Sequence, residues 1–157
     1  MRILFATGNE YKILEAREVL EPLGHSVEGL VINGLRPNFD EPKHLGLDGV
    51  AESKIRQAME LIQGSELEGS AILVEDSGIF LDAFPEWPGA ESSDVEKEIG
   101  LNGIIEKIKG SGNSGAEYRA VAILSNGNQV WKSKGICRGK ISDLPPVSYT
   151  HLTLPTN

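Results

Sequence analysis

Within its first two dozen residues the chain changes period. Arg2-Ile3-Leu4-Phe5-Ala6 is a short apolar run that stops at Thr7-Gly8-Asn9, after which Ile13, Ala16, Val19, Leu20 and Leu23 recur at helical spacing. This reads as strand, tight loop, helix, and the alternation continues. Pro22 and Gly24 close the helix, residues 25–32 form a second extended segment, and residues 33–46 are a loop rich in Pro, Gly and Asp. Leu47, Val50, Ala51, Ile55, Ala58, Leu61 and Ile62 mark the buried face of a second helix, with Glu52, Lys54, Arg56 and Glu60 on the solvated face and Gly64 at its end. Residues 71–74 are a compact strand that reaches a turn, Glu75-Asp76-Ser77-Gly78, before an extended pattern resumes over 79–83. Pro85, Pro88 and Gly89 make the next loop. Ser93 and Glu96 have capping-box spacing for a helix through Ile99, and Ile104, Ile105 and Ile108 mark another short helical piece before a loop at 110–115. Strand-like runs over 117–125 and 128–137 join at Asn126-Gly127, the dipeptide best suited to a tight primed turn. The expected fold is α/β: a mixed twisted sheet with flanking helices and a C-terminal hairpin.

Composition narrows the function. With 157 residues, 39% hydrophobic and 24% charged, the chain is a single globular domain and not an acidic disordered segment. Its net charge of -8 argues against non-specific binding to duplex nucleic acid or to anionic membranes, so a small anion would need a locally basic pocket. Cys137 is the only cysteine, which excludes a disulfide framework, a Cys-rich zinc site or an iron–sulfur cluster within the chain and fits a reducing cytosol. The opening apolar run is too short for a signal peptide, and no run approaches the roughly 20 apolar residues of a membrane span, so a cytoplasmic location is expected. The last stretch differs in kind. All 38 Asp, Glu, Lys and Arg residues precede Leu144, and LPPVSYTHLTLPTN has weak helix propensity and three prolines. A domain over 1–146 followed by an unrelated, poorly ordered tail over 147–157 is the expectation.

Three constellations can carry chemistry. Thr7-Gly8-Asn9-Glu10-Tyr11-Lys12 sits where a strand meets a helix amino-terminus, a place that favours anions. Gly8 lets a ligand approach the backbone, Thr7 and Asn9 offer donors, and Lys12 can reach a phosphate oxygen; the plainer alternative is a helix cap with Lys12 in solvent. Glu75-Asp76-Ser77-Gly78 follows a buried strand, and two adjacent carboxylates there are costly without a cation such as Mg²⁺. Alternation puts Glu75 and Asp76 on opposite faces, which leaves Asp76 as the choice for the site; the alternative is a turn whose Asp76 accepts from backbone N–H groups. The pair Asp40-Glu41 in the long loop is a source of a second carboxylate, or simply solvated. His25, His44 and His151 have no zinc spacing, Trp87 and Trp131 read as packing residues, and Cys137 as a small buried one.

Together, an opening Thr7-Gly8-Asn9 with Lys12 and Glu15, a central Asp76-Ser77-Gly78, and Pro88-Gly89 with Ser92 resemble the inosine/xanthosine triphosphate pyrophosphatases, the RdgB-like house-cleaning enzymes, in their archaeal-style branch. The resemblance covers about residues 1–146 and implies hydrolysis of a non-standard purine nucleoside triphosphate (ITP, XTP or dITP) between its α and β phosphorus atoms, giving monophosphate and pyrophosphate. It implies phosphate binding by residues 7–12 and Ser77, Asp76 as base for the attacking water and as Mg²⁺ ligand, and Glu41 as the second metal-binding acid. It also implies a homodimeric parent. The family's later Phe-Gly-Tyr-Asp-Pro block and Ser-His-Arg segment have no counterpart here, and VSYTHLTLPTN resembles adapter sequence joined to a truncated frame. Two other readings stand beside this one: an inert fragment that at most binds triphosphate, and a septum-inhibitor-type nucleotide pyrophosphatase, which the TGN opening disfavours.

Overall fold

The structure, a computed structural model, describes residues 1–143, so the expected tail at 147–157 lies outside the described residues. In chain order the elements are β1 (Arg2–Phe5), α1 (Glu10–Leu20), β2 (Ser26–Gly29), α2 (Gly46–Ile62), β3 (Ala71–Leu81), β4 (Phe84–Pro88), α3 (Ser92–Ser111), β5 (Gly115–Ser125) and β6 (Val130–Lys140). The strands form a six-stranded sheet in the order β2-β1-β3-β5-β6, with β4 on β3 off that path. β1 is parallel to both β2 and β3, Phe5 lying opposite Gly29 and Leu73, whereas β4 is antiparallel to β3. The sheet is therefore mixed, as expected from the alternation of periods.

The chain divides into two compact units, one of residues Met1–Asp76 and Val121–Lys134, the other of Ser77–Ala120 and the chain from Gly135. In the first, Ile3, Leu4 and Phe5 are all buried, as befits a strand covered on both faces. Ile3, Phe5, Ile13, Val27 and Ala71 form its core, with Ala16, Leu20, Leu73 and Leu124 against them. α2 buries Leu47, Val50, Ala51, Ala58 and Ile62, but its stripe differs from the expected one: Lys54, assigned to the solvated face, is only 7% exposed, while Leu61 is exposed. The loop over 33–46 is also less irregular than expected. Ile32 and Leu35 exchange backbone hydrogen bonds of 2.8 and 3.0 Å around Asn33 and Gly34, both at positive φ (52° and 77°), which makes this Asn-Gly pair a tight primed turn.

The expected turn at Asn126-Gly127 is shifted by one residue. The Asn126 N–H donates to the Gln129 carbonyl, and of the central Gly127 and Asn128 only Gly127 has positive φ (88°). Asn126 Oδ1 accepts from the N–H groups of Asn128 and Gln129 instead, so the asparagine closes the turn with its side chain.

In the second unit Leu81, Ile108 and Ala116 pack with Ile79, Phe84, Trp87, Ile104 and Ile141. Two expectations are corrected here. Residues 84–88, read as a Pro-rich loop, are strand β4; prolines are tolerated because β4 pairs with β3 alone. The capping box at Ser93 does not form, since the helix already starts at Ser92 and has no side-chain cap. The two helical pieces are both present, joined at Gly100, whose φ of 69° and ψ of 174° break the α3 helix. At the sheet edge β6 is largely solvated: Trp131, read as a packing residue, is 43% exposed, and Cys137, read as buried, is half-buried.

Candidate functional site

The loop after β1 is organised by its own side chains. Asn9 caps α1, its Oδ1 accepting from the Tyr11 N–H at 2.9 Å, and Thr7 Oγ1 accepts from the Asn9 N–H at 3.1 Å. Gly8 is not required by packing, because no described atom lies within 4 Å of where its Cβ would stand. Tyr11 is exposed, and Glu10 forms an ion pair with Arg36. Lys12 is not in solvent, as the plainer sequence reading had it: its Nζ is 2.5 Å from Glu75 Oε2.

Glu75-Asp76-Ser77-Gly78 is not a turn. These residues continue β3 without a break from Ala71 to Leu81. Glu75 is engaged at this point of the strand as well as Asp76. Glu75 holds Lys12 through its carboxylate and accepts from Lys54 Nζ at 3.1 Å through its carbonyl oxygen. Lys54 Nζ also lies 3.4 Å from Glu41 Oε1, with Lys43 Nζ at 4.0 Å from Glu41 Oε2. Glu41 is brought there by α2: Gln57 accepts from the Asp40 N–H at 3.0 Å and donates to the Asp40 carbonyl at 2.8 Å, clasping the loop backbone to the helix. Asp40 therefore contributes its backbone to that clasp.

Asp76 is the exceptional member. Its Oδ2 is buried and has no hydrogen-bond partner among the described residues, which contradicts the alternative of an aspartate satisfied by turn N–H groups. Burial pushes its carboxyl up to about 6; Lys54 and Lys12 oppose the shift, and the charges of Glu41 and Glu75 add to it. Such a carboxyl exchanges its proton near neutral pH, which suits a general base. As for a metal, no group of three or more His, Cys, Asp or Glu side chains among the described residues is arranged to hold one. The orphaned Asp76 oxygen with Glu41 nearby fits an ion such as Mg²⁺, which takes one or two carboxylates and draws its remaining oxygens from phosphates and water.

The motif Pro88-Gly89 with Ser92 serves β3 itself. A Cβ on Gly78 would stand 2.0 Å from the Gly89 carbonyl oxygen, so only glycine admits this approach. Ser92 Oγ accepts from the Ile79 N–H at 2.9 Å and donates to the Gly89 carbonyl at 2.6 Å, fastening the turn to the strand. Ser77, half-buried, lies between Asp76 and that anchored stretch of β3.

Lys54 is the site residue that sequence reasoning missed. A signal was present: it falls three residues after Ala51 and four before Ala58, on the apolar stripe of α2.

A model of the Ham1 family matches residues 3–149. The chain belongs to this family. Among its relatives is the dITP/XTP pyrophosphatase of Methanopyrus kandleri, 32% identical over 146 residues that cover 92% of this chain and 72% of the relative. The dITP/XTP pyrophosphatase of Hyperthermus butylicus is 32% identical over 143 residues, covering 91% and 70%. The solved Staphylococcus aureus Ham1 protein shares the fold, with a TM-score of 0.69 at 21% identity over 91% of this chain and 73% of that one. No helix among the described residues is long and apolar enough to cross a membrane.

Proposed function

We propose that the chain hydrolyses non-standard purine nucleoside triphosphates, ITP, XTP and dITP, to the monophosphate and pyrophosphate with Mg²⁺ as cofactor. The observation that carries this reading is the half-buried Asp76 carboxyl, its Oδ2 buried and unengaged, set in the field of Lys12 and Lys54. Family membership and the names of the relatives support the substrate class.

Thr7, Gly8, Asn9, Glu10, Tyr11 and Lys12 take the triphosphate at the amino-terminus of α1, where the helix dipole favours negative charge, Glu10 through its backbone N–H and not its carboxylate. Ser77 adds a hydroxyl donor. Lys12, oriented by Glu75, supplies the cation of the cradle. Asp76 accepts the proton of the water that attacks phosphorus, and Lys54 lowers the cost of ionising it. Asp76 and Glu41 would hold the Mg²⁺, which supplies neutralisation of the charge that develops on the phosphate oxygens.

The test is pyrophosphate release by the full chain in Mg²⁺ with ITP, XTP, ATP and GTP. A kcat/KM for ITP and XTP at least ~10-fold above that for ATP and GTP is expected. Equal turnover of ATP, or release of single phosphate, overturns the reading.

A further inference from the structure

Arg36 belongs to none of the motifs above, yet the fold delivers it to the loop that follows β1. The primed turn at Asn33-Gly34 reverses the chain after Leu30, which is itself held to β1 by the bond from its N–H to the Phe5 carbonyl at 2.8 Å. The reversal lays the Arg36 guanidinium over Gly29, at the carboxyl end of β2. A Cβ on Gly29 would stand 3.3 Å from Arg36 Nη2 and 3.1 Å from Ile13 Cδ1, so glycine leaves the space that the guanidinium fills. From there Nη2 pairs with Glu10 Oε1, and Nη1 lies 3.5 Å from the Thr7 carbonyl oxygen. One guanidinium thus reaches both ends of the stretch Thr7–Glu10.

Glu10 poses a problem that this contact answers. It is the first residue of α1, where an acid helps the helix, but its carboxylate stands beside a loop that takes a triphosphate, and like charges there repel. We infer that Arg36 is a positioning residue of the phosphate-binding loop: held over Gly29, it fastens Thr7–Glu10 and cancels the Glu10 carboxylate before the triphosphate arrives. The inference rests on the reading of residues 7–12 as a triphosphate cradle. The planar fork of Arg suits two partners at once in a way that a lysine ammonium does not.

The experiment uses the full chain and two readouts: steady-state hydrolysis of ITP, and calorimetric binding of inorganic tripolyphosphate, which needs no turnover. Arg36→Gln is expected to raise KM and the tripolyphosphate Kd together by ~10-fold, with kcat changed by less than about 2-fold. Adding Glu10→Gln to Arg36→Gln is expected to bring both constants back to within about 3-fold of the wild type, a recovery that simple loss of an ion pair would not produce. Arg36→Lys, with charge but no fork, falls between. An unchanged Kd in Arg36→Gln, or no recovery in the double variant, overturns the inference. A wild type that binds tripolyphosphate but hydrolyses no ITP overturns the hydrolytic reading and leaves the Arg36 binding test readable; a wild type that hydrolyses ITP but binds no tripolyphosphate overturns the inference alone, and one that does neither overturns both.

Discussion

Asp76 shows stability and activity pulling one side chain in opposite directions. Its carboxyl is held near 6 by burial, so at neutral pH the folded chain carries an ion that its surroundings resist. The folded carboxyl keeps its proton up to about 6, whereas the unfolded one releases it near 3.8. Stability therefore falls as pH rises across that interval and stays lower above it, the reverse of a salt-bridged acid. Asp76→Asn keeps the shape and removes both the charge and the base. It is expected to cut ITP turnover at least ~100-fold while raising the thermal midpoint of the metal-free protein at pH 7.5 and leaving it nearly unchanged at pH 4. Activity assays and calorimetry at the two pH values check both halves. A variant that loses activity and stability together would mean that Asp76 is structural.

At the scale of elements, β3 unites features that the sequence presents separately. Its first residues are apolar, its middle carries Glu75, Asp76 and Ser77, and its end is apolar again, so a period-based reading inserts a turn where the strand in fact continues. What holds the polar middle extended is tertiary: the parallel partner β1 before it and the Gly89 turn fastened by Ser92 after it. Two glycines of the recognised motifs therefore serve different ends. Gly78→Ala must push its Cβ against a carbonyl oxygen 2.0 Å away, in backbone that cannot swing aside. It is expected to cost about 3 kcal/mol in urea unfolding. Gly8→Ala meets nothing within 4 Å. It is expected to change stability by less than about 1 kcal/mol, yet to raise KM for ITP several-fold if the loop takes phosphates. Equal unfolding midpoints for the two variants would contradict this division.

For the molecule as a whole, the acidic balance of -8 is partly organised into pairs that fix its behaviour in acid. Hydrogen bonds from Lys132 and Lys134 hold the Asp48 carboxyl below its usual range, and those from Arg119 and Arg138 do the same for Glu117. These depressed groups contribute fully above the ordinary carboxylate range, and the contribution is lost as pH falls through their lowered values. Metal-free urea midpoints are thus expected to drop on both sides: below about pH 4 as Asp48 and Glu117 are protonated, and from about pH 4 to 6 as Asp76 ionises. Asp48→Asn should flatten only the acid side, which 1 M salt should flatten as well because these pairs are solvated. The sequence by itself determined the periods, and with them β1, its helix, the mixed sheet and the place where β1 ends in Thr7-Gly8-Asn9; that motif and Asp76-Ser77-Gly78 also carried the family, because period and motif are local properties of the chain. Only the tertiary structure decided that Lys54 is buried, that Glu75 and not solvent receives Lys12, that residues 84–88 pair as β4, and that an Asn-Gly turn swings Arg36 over Gly29. Each of these depends on a partner distant in the chain, and whether a charge on an apolar stripe is an error or a site residue is settled by the carboxylate that the fold sets opposite it.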